Sequence, residues 1–393
     1  MKKKLSVFKK KLQNLSVSKP EYKALKAHLN KQPVGYPRTL TGVENRLLTE
    51  IFTPIEASTA LYLTSHFETL ETIHKRSKED GVSTDDLKQR LENMGEKGCI
   101  FIRYRNKIAQ YALHPFVVGM FEMQLYRLTP GYFMDTLNYG IQGFGMEYLS
   151  TKVPQMRIIP IEKSINVEHN IATYDEVRTL VDSSPNNLRL VSCVCKSGKD
   201  LLDESCKITK RREVCLLLHD FADSASRRDW GHKVKKAEAM EMLAQGEKEG
   251  LMLMTSNMKE PQVICSCCGC CCGITSTIRS MPRPSDFTAS NFTALFDQEA
   301  CNGCKKCLKR CQMKAFILDQ NTKKPIGINS GKCVGCGLCV FTCKTKAITL
   351  NKKEQSTVPP QNHDELYEII ANGKKSTFRK AVHLTKAMSG MKT

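Results

Sequence analysis

The first third of the chain combines apolar stripes at helical spacing with one stretch of strand-like alternation. Thr53-Pro54-Ile55-Glu56 predicts a helix start, with Thr53 as N-cap and Glu56 closing a capping box. Two further helices are predicted, one around Ile73 and one beginning at Ser83 or Thr84. CIFIRY and IAQYAL then alternate around a polar turn, which is typical of a hairpin. Three helices followed by a hairpin predict a winged-helix-like domain over residues 46–115.

This domain has two expected uses. Polar and basic residues on the third helix and the hairpin are suited to the bases and phosphates of DNA, and they are Lys88, Gln89, Arg90, Asn93, Arg103, Arg105 and Lys107. The same helix also carries acids, including Asp85, Asp86 and Glu92, which oppose contact with phosphate. Protein docking or dimerisation is therefore the other interpretation.

The remaining pattern predicts an α+β multidomain chain. A basic arm over residues 1–45 precedes the winged-helix-like domain, and a helical, cysteine-rich α/β middle domain covers residues 116–290. A cysteine repeat occupies residues 291–350, and a lysine-rich tail with one helix covers residues 351–393. No apolar run approaches the roughly 20 residues that span a bilayer, so we expect no membrane insertion. No signal-peptide pattern is seen at the N-terminus, which favours a cytoplasmic location.

The net charge and the cysteine content indicate which kinds of chemistry the chain can support. The formal net charge is +20, and 19 cysteines are present. All but Cys99 lie between Cys193 and Cys343, and Cys99 is expected in the core. Arrays of C-x2-C without a secretory signal favour metal binding over disulfides. So much reduced thiol also suggests an anaerobic or strongly reducing cell.

The strongest motif is a repeated run of cysteines. CNGCKKCLKRC begins at Cys301 and CVGCGLCVFTC at Cys333, and both read C-x2-C-x2-C-x3-C. The second copy follows the first at an offset of 32 positions, and the matching flanks Lys314-Ala315 and Lys346-Ala347 extend the repeat. Closely spaced thiolates on tight turns suit an iron–sulfur cube. Structural zinc is the rival interpretation, but the third cysteine of each run argues against it.

These runs resemble a bacterial two-cluster ferredoxin domain. The resemblance implies that the fourth cysteine of each run reaches the other cluster. One [4Fe–4S] cluster would then be held by Cys301, Cys304, Cys307 and Cys343, and the second by Cys333, Cys336, Cys339 and Cys311. The family usually has Pro after the fourth cysteine, whereas Gln312 and Lys344 stand here and restore backbone N–H groups.

The ferredoxin-like stretch is also strongly basic. Ten Lys or Arg and the single acid Asp319 lie between Cys301 and Leu350. Positive charge and added donors stabilise a reduced cluster, so we expect potentials above those of an acidic ferredoxin. The same surface predicts a redox partner protein with an acidic docking surface.

A second cysteine field precedes the repeat. We predict metal binding by its ten cysteines, which are Cys193, Cys195, Cys206, Cys215, Cys265, Cys267, Cys268, Cys270, Cys271 and Cys272. Cys193 and Cys195 are expected on one face of a strand, and Gly269 and Gly273 are expected to let the backbone curl. A third iron–sulfur cluster, zinc and a redox-active thiol site are the three interpretations, with Cys193, Cys195, Cys206 and Cys215 as the leading ligand set.

The order of these features, from about residue 45 to 350, is similar to that of 4Fe-4S binding proteins of anaerobic bacteria. The resemblance is carried by ALHPFVVG at Ala112–Gly119, Gln155–Ile161, Val191–Lys196 and Ile264–Gly273, together with the two runs. It implies cluster binding and leaves the reaction open.

The sequence therefore predicts an electron carrier or redox subunit. No glycine-rich nucleotide loop and no acid–base constellation points to a free-standing enzyme. One alternative is a redox-sensing DNA-binding regulator. The other is an oxidoreductase with its active centre at Cys265–Cys272.

Overall fold

The computed structural model describes residues 19–164, 173–185 and 187–393. Residues 1–18 of the predicted basic arm lie outside the described residues. The chain divides into two compact units, residues 1–147 and 148–393. No described helix is both long enough and apolar enough to cross a bilayer.

The first unit is helical with one small sheet. Its elements up to the hairpin are α1 (Pro20–Lys31), α2 (Val43–Ile51), α3 (Pro54–Thr59), β1 (Glu68–Thr69), α4 (Leu70–Ser77), α5 (Thr84–Lys97), β2 (Phe101–Arg105) and β3 (Ile108–Ala112). The three strands form an antiparallel sheet in the order β1-β3-β2. Helices α6 (Pro130–Tyr139) and α7 (Gly145–Leu149) follow.

Local sequence signals explain most of the boundaries in this unit. Thr53 accepts from the Glu56 amide while the Glu56 carboxylate accepts from the Thr53 amide, which is the predicted capping box. Ser83 caps α5, whose buried side chains include Leu87, Leu91 and Met94. The hairpin turns at Asn106 and Lys107, which both have positive φ, as a two-residue hairpin turn requires.

The second unit is built on a six-stranded antiparallel sheet in the order β4-β8-β9-β6-β5-β7. Its elements as far as the last of these strands and the helix after it are β4 (Met156–Ile158), α8 (Val177–Asp182), β5 (Leu188–Ser192), α9 (Val194–Asp200), β6 (Glu213–Leu217), α10 (His219–Arg227), β7 (His232–Val234), α11 (Lys236–Glu249), β8 (Met252–Ser256), β9 (Val263–Cys267) and α12 (Gly273–Ser280). Every described residue of β8 is buried, as expected for a central strand.

Two short antiparallel sheets of two strands each and two helices make up the cysteine repeat. The elements from there to the C-terminus are β10 (Phe292–Phe296), α13 (Lys306–Arg310), β11 (Phe316–Leu318), β12 (Pro325–Ile328), α14 (Leu338–Thr342), β13 (Ile348–Lys352), α15 (His363–Asn372) and α16 (Thr377–Met388). Strand β10 pairs with β13, and β11 pairs with β12. The tail thus contains two helices rather than the single predicted one.

Three buried polar side chains connect the six-stranded sheet to the cysteine repeat. Arg157 of β4 pairs with Asp175, and both side chains are 1% exposed. The Asp175 carboxylate also accepts from Asn291 Nδ2 at 2.7 Å, just before β10. Burial raises the pKa of Asp175, and Arg157 and Asn291 oppose that shift.

Candidate metal centres

The two halves of the cysteine repeat share a backbone conformation as well as a spacing. Helix α14 lies 32 positions after α13 and has the same length. Gly303 and Gly335 have φ of 71° and 70°, and Lys314 and Lys346 have φ of 52° and 56°. The left-handed residues make tight turns, which bring successive cysteines of each run close together.

Four of the predicted ligands line one cavity. Cys333, Cys336 and Cys339 come from the second run, and Cys311 is the fourth cysteine of the first run. The rest of the wall is largely apolar and includes Ala294, Phe316, Ile328 and Leu338. A concave site with four thiols and an apolar wall fits an iron–sulfur cluster. The grouping is the one that the crossed ligand pattern predicts for the second cluster.

The first run provides three predicted ligands of the other cluster, and Cys343 is the fourth. Burial raises the pKa of Cys307 to about 11, and Cys301 and Cys304 are close enough to add to the shift. Cys343 ends α14 at the position that corresponds to Cys311 at the end of α13. Burial also raises the pKa of Cys336 to about 12. Since thiolates are the ligands, cluster binding must release protons from these groups.

Backbone amides point at the sulfurs. Ala315 N donates to Cys311 Sγ at 3.2 Å, and Ala294 N donates to Cys333 Sγ at 3.4 Å. Met313 and Lys314 amides also hydrogen-bond Cys311. Such donors stabilise a negatively charged cluster. The donors to Cys311 thus come from the residues after Gln312.

These features agree with a known family. Residues 300–356 match the family model of the 4Fe-4S dicluster domain. This is an iron–sulfur protein. No match was found among curated proteins or among solved structures. The match covers residues 300–356 and does not extend to the rest of the chain.

The central cysteines form a second, tighter group. Cys206 lies between α9 and β6, and Cys268, Cys270 and Cys271 lie in the turn between β9 and α12. Their four sulfurs all lie within 4.8 Å of one another. Cys206 Sγ is 3.7 Å from Cys268 Sγ and 3.8 Å from Cys270 Sγ. Cys270 Sγ is 3.4 Å from Cys268 Sγ and 3.6 Å from Cys271 Sγ.

This close group, which we call the four-thiol site, is shielded by apolar residues. Cys268 and Cys271 are buried, and Cys206 and Cys270 are half-buried. Val214, Leu251 and Ile208 pack around them. A hydrogen bond from Cys271 and the nearby Lys196 ammonium lower the pKa of Cys268 to about 4. These neighbours therefore favour the thiolate form of Cys268.

The other six central cysteines form an extended row. Cys215 and Cys265 face each other across β6 and β9 with their sulfurs 3.8 Å apart. Side-chain hydrogen bonds then link Cys265 to Cys267, Cys267 to Cys272, Cys272 to Cys195, and Cys195 to Cys193. Among the described residues, only the four-thiol site brings three or more metal-ligating atoms within 4.8 Å of one another. The six sulfurs of the row therefore do not converge on one point as those of the four-thiol site do.

One buried cation serves both groups of central cysteines. Lys196 of α9 is 1% exposed, and its Nζ donates to Ser266 O at 3.1 Å. Burial by itself would lower the pKa of Lys196, but neighbouring thiols, foremost Cys193 and Cys268, raise it overall. Its ammonium therefore stays charged and compensates negative sulfur on both sides.

Gln312 joins the four-thiol site to the dicluster domain. Its Oε1 accepts from Gly269 N at 3.0 Å, and its Nε2 donates to Gly250 O at 2.8 Å. Gly269 lies between Cys268 and Cys270, and Gln312 directly follows Cys311. One amide side chain thus ties the central turn to a predicted ligand of the second cluster.

One sequence expectation about the central field is wrong. Cys193 and Cys195 do not lie on a strand face, because β5 ends at Ser192 and α9 begins at Val194. The chain does turn between β9 and α12, where Cys268, Cys270 and Cys271 come together, although neither Gly269 nor Gly273 has positive φ. A Cβ at Gly269 would lie 2.8 Å from Arg279 Nη1 and 3.4 Å from Gln312 Oε1, so this glycine permits close approach.

The predicted leading ligand set is divided by the structure. Cys206 joins Cys268, Cys270 and Cys271, whereas Cys193, Cys195 and Cys215 belong to the row. Sequence reasoning did not single out Lys196 or foresee the contacts of the Gln312 side chain. Lys196 directly follows the C-x-C pair, and that position is the one signal that pointed to it.

Proposed function

We propose that this protein transfers electrons through two [4Fe–4S] clusters in its dicluster domain, to or from a partner protein with an acidic surface. The proposal rests chiefly on the cavity that gathers Cys311 with Cys333, Cys336 and Cys339. Each cluster, when bound, supplies one-electron chemistry. The chain supplies the thiolates, an apolar wall and backbone donors aimed at the sulfurs.

The basic surface supports an acidic partner. Lys306 and Lys309 lie exposed on α13, and Lys344 and Lys346 are exposed after α14. An acidic surface would be steered towards this side, and the rate of electron transfer would fall as salt screens the charges.

The test begins with the full chain purified without oxygen. We expect about eight irons and eight sulfides per chain in the dicluster domain and two coupled one-electron signals in electron paramagnetic resonance. A redox titration showing two very low potentials would contradict the expected effect of the basic surface.

Oxidation by small charged reagents then tests the docking charge. At low salt, ferricyanide should oxidise the reduced protein faster than hexaamminecobalt(III), after correction for their driving forces. The difference should shrink at high salt. Equal salt dependence for the two reagents would remove the support for an acidic partner.

If the middle region adds a redox centre, the row of six cysteines offers the ligands for it. A hydrogen bond from Cys195 lowers the pKa of Cys193 to about 7 and outweighs the effect of burial, so thiolate is available there at neutral pH. An iron count above about eight that falls on replacing Cys195 and Cys272 would support a third cluster in the row.

A DNA-binding regulator is the second candidate. The order α3, β1, α4, α5 and the β2–β3 hairpin supports a winged helix in the first unit. Two cations of α5 are engaged by acids of the same helix, since Arg90 pairs with Asp86 at 2.6 Å and Lys88 with Glu92 at 4.0 Å. Sequence-selective, salt-sensitive gel shifts that change with cluster oxidation would favour the regulator.

A further inference from the structure

We propose that Cys206, Cys268, Cys270 and Cys271 form a mononuclear, tetrahedral zinc site. The distances between their sulfurs carry the inference. Four thiolates around one zinc ion, each about 2.3 Å from it, lie about 3.8 Å from one another. Four sulfur–sulfur distances in the site run from 3.4 to 3.8 Å.

A cluster of four irons needs a different arrangement. Each thiolate then binds its own iron at a corner of a cube, so the sulfurs point inwards from farther apart than on a single ion. The dicluster domain supplies the internal reference. Its eight cysteines are all described, yet no three of their sulfurs lie within 4.8 Å of one another in the described structure. Within the described structure, only the four-thiol site holds its sulfurs close enough together to bind a single ion.

The chemistry of the donors favours zinc among single ions. A closed set of four cysteine thiolates in tetrahedral geometry is the usual structural zinc site. Four thiolates around a divalent ion carry two net negative charges, and the buried Lys196 ammonium offsets one of them. Val214 and Leu251 pack against the site and bury Cys268 and Cys271.

The position of the site explains what the ion would do. Cys206 is in the connection that precedes β6, and the other three ligands are in the turn that follows β9, so the ion would join two loops at the same end of this strand pair. The Gly269 amide in that turn donates to Gln312 Oε1. The zinc would therefore hold the surface against which Cys311 and its cluster are placed, and would carry no electrons itself.

The first test uses the unmodified full chain, purified anaerobically, with metal analysis and X-ray absorption at the zinc edge. We expect one zinc per chain with four sulfur neighbours at about 2.3 Å. Three results would overturn the proposal. They are the absence of zinc, nitrogen or oxygen atoms bound to the zinc, and additional iron in place of zinc. A ninth iron would indicate a single-iron site, and about four additional irons a third cluster.

The second test uses variants. Cys206→Ala and Cys271→Ala should each abolish zinc binding while iron stays at about eight per chain and the dicluster signals remain. Cys99→Ser is the control, because Cys99 is buried in the first unit and donates to Ile51 O at 3.1 Å. Loss of iron with retention of zinc in the Cys206 variant would contradict the assignment.

The two tests keep this proposal separate from the proposed function. X-ray absorption at the zinc edge of the unmodified chain tests the assignment even if a variant does not fold. Failure of the zinc assignment leaves the eight irons and the resonance signals of the dicluster domain in place, whereas failure of the electron-transfer proposal would appear as loss of those irons and signals.

Discussion

The dicluster domain and the four-thiol site both use cysteine sulfur, but they space it differently. In the dicluster domain, Cys311, Cys333, Cys336 and Cys339 stand around a cavity. In the central turn, Cys206 and its three partners close to within 4.8 Å. Because all these ligands are of the same type, the distance between sulfurs decides between a multinuclear cluster and a single ion. Under the two proposals, one region transfers electrons and the other cross-links the chain.

The largest expected effect concerns the crossed ligands of the dicluster domain. Cys311→Ala and Cys336→Ala remove ligands of the same predicted cluster, so the double variant should keep about four irons. Cys311→Ala with Cys304→Ala removes one ligand from each cluster and should leave almost none. Iron analysis after anaerobic purification checks both. If the two double variants gave the opposite results, each run would hold its own cluster and the crossover would be wrong.

The next effect concerns Lys196, which lies beside both groups of central cysteines. Lys196→Met removes the cation and leaves buried negative sulfur uncompensated, which should lower the free energy of unfolding by about 3–5 kcal/mol. Denaturant titration of the anaerobic protein measures it.

Lys199→Met is the matched control on the same helix. Lys199 pairs with Glu204, which is 62% exposed, so its loss should cost about 1 kcal/mol or less. Equal effects of the two substitutions would show that Lys196 does not stabilise the thiolates.

A smaller effect is expected at the contact that links the two regions. Gln312→Leu leaves the Gly269 N–H and the Gly250 carbonyl without this partner, at roughly 1–3 kcal/mol for each group that stays buried. We expect a lower unfolding midpoint with both clusters and the zinc retained. Gln320→Leu, an exposed change in the same domain, should leave the midpoint unchanged. Loss of metal in the Gln312 variant would mean that the regions are not independent binding sites.

The smallest predicted effect is electrostatic. Burial lowers the pKa of Lys353, and the nearby Cys333 opposes that shift. Its Nζ donates to Ser290 O at 2.8 Å. Lys353→Met removes positive charge near the second cluster, so the reduced form loses stability. Its potential should fall by up to about 59 mV, a tenfold change for one electron.

A charge-matched variant tests whether proximity matters. Lys309→Met removes an exposed charge from α13, and solvent screening should make its effect smaller. Potentiometric titration followed by electron paramagnetic resonance resolves the two cases. A larger shift for Lys309 than for Lys353 would contradict the role given to Lys353.

The dicluster domain was the most predictable part of the structure because its signals are local. Each C-x2-C-x2-C-x3-C run makes its own turns, and the left-handed Gly303 and Gly335 repeat with the sequence. The capping box at Thr53 and the cap at Ser83 were also predictable, since N-cap contacts reach only three residues. The central field was not, because its partners are distant in sequence. Cys206 and Cys268 are 62 positions apart, and no spacing rule connects them.

By itself, the sequence determined that this chain binds iron–sulfur clusters in a repeated domain, because ligand spacing and turn conformation are both properties of short segments. The tertiary structure alone decided which central cysteines meet, where Lys196 places its charge and what Gln312 joins. The β6–β9 pairing and the packing of Val214 and Leu251 bring remote loops together. Long-range pairing of this kind depends on the whole sheet, so ten similar cysteines could be divided into four and six only once that sheet was known.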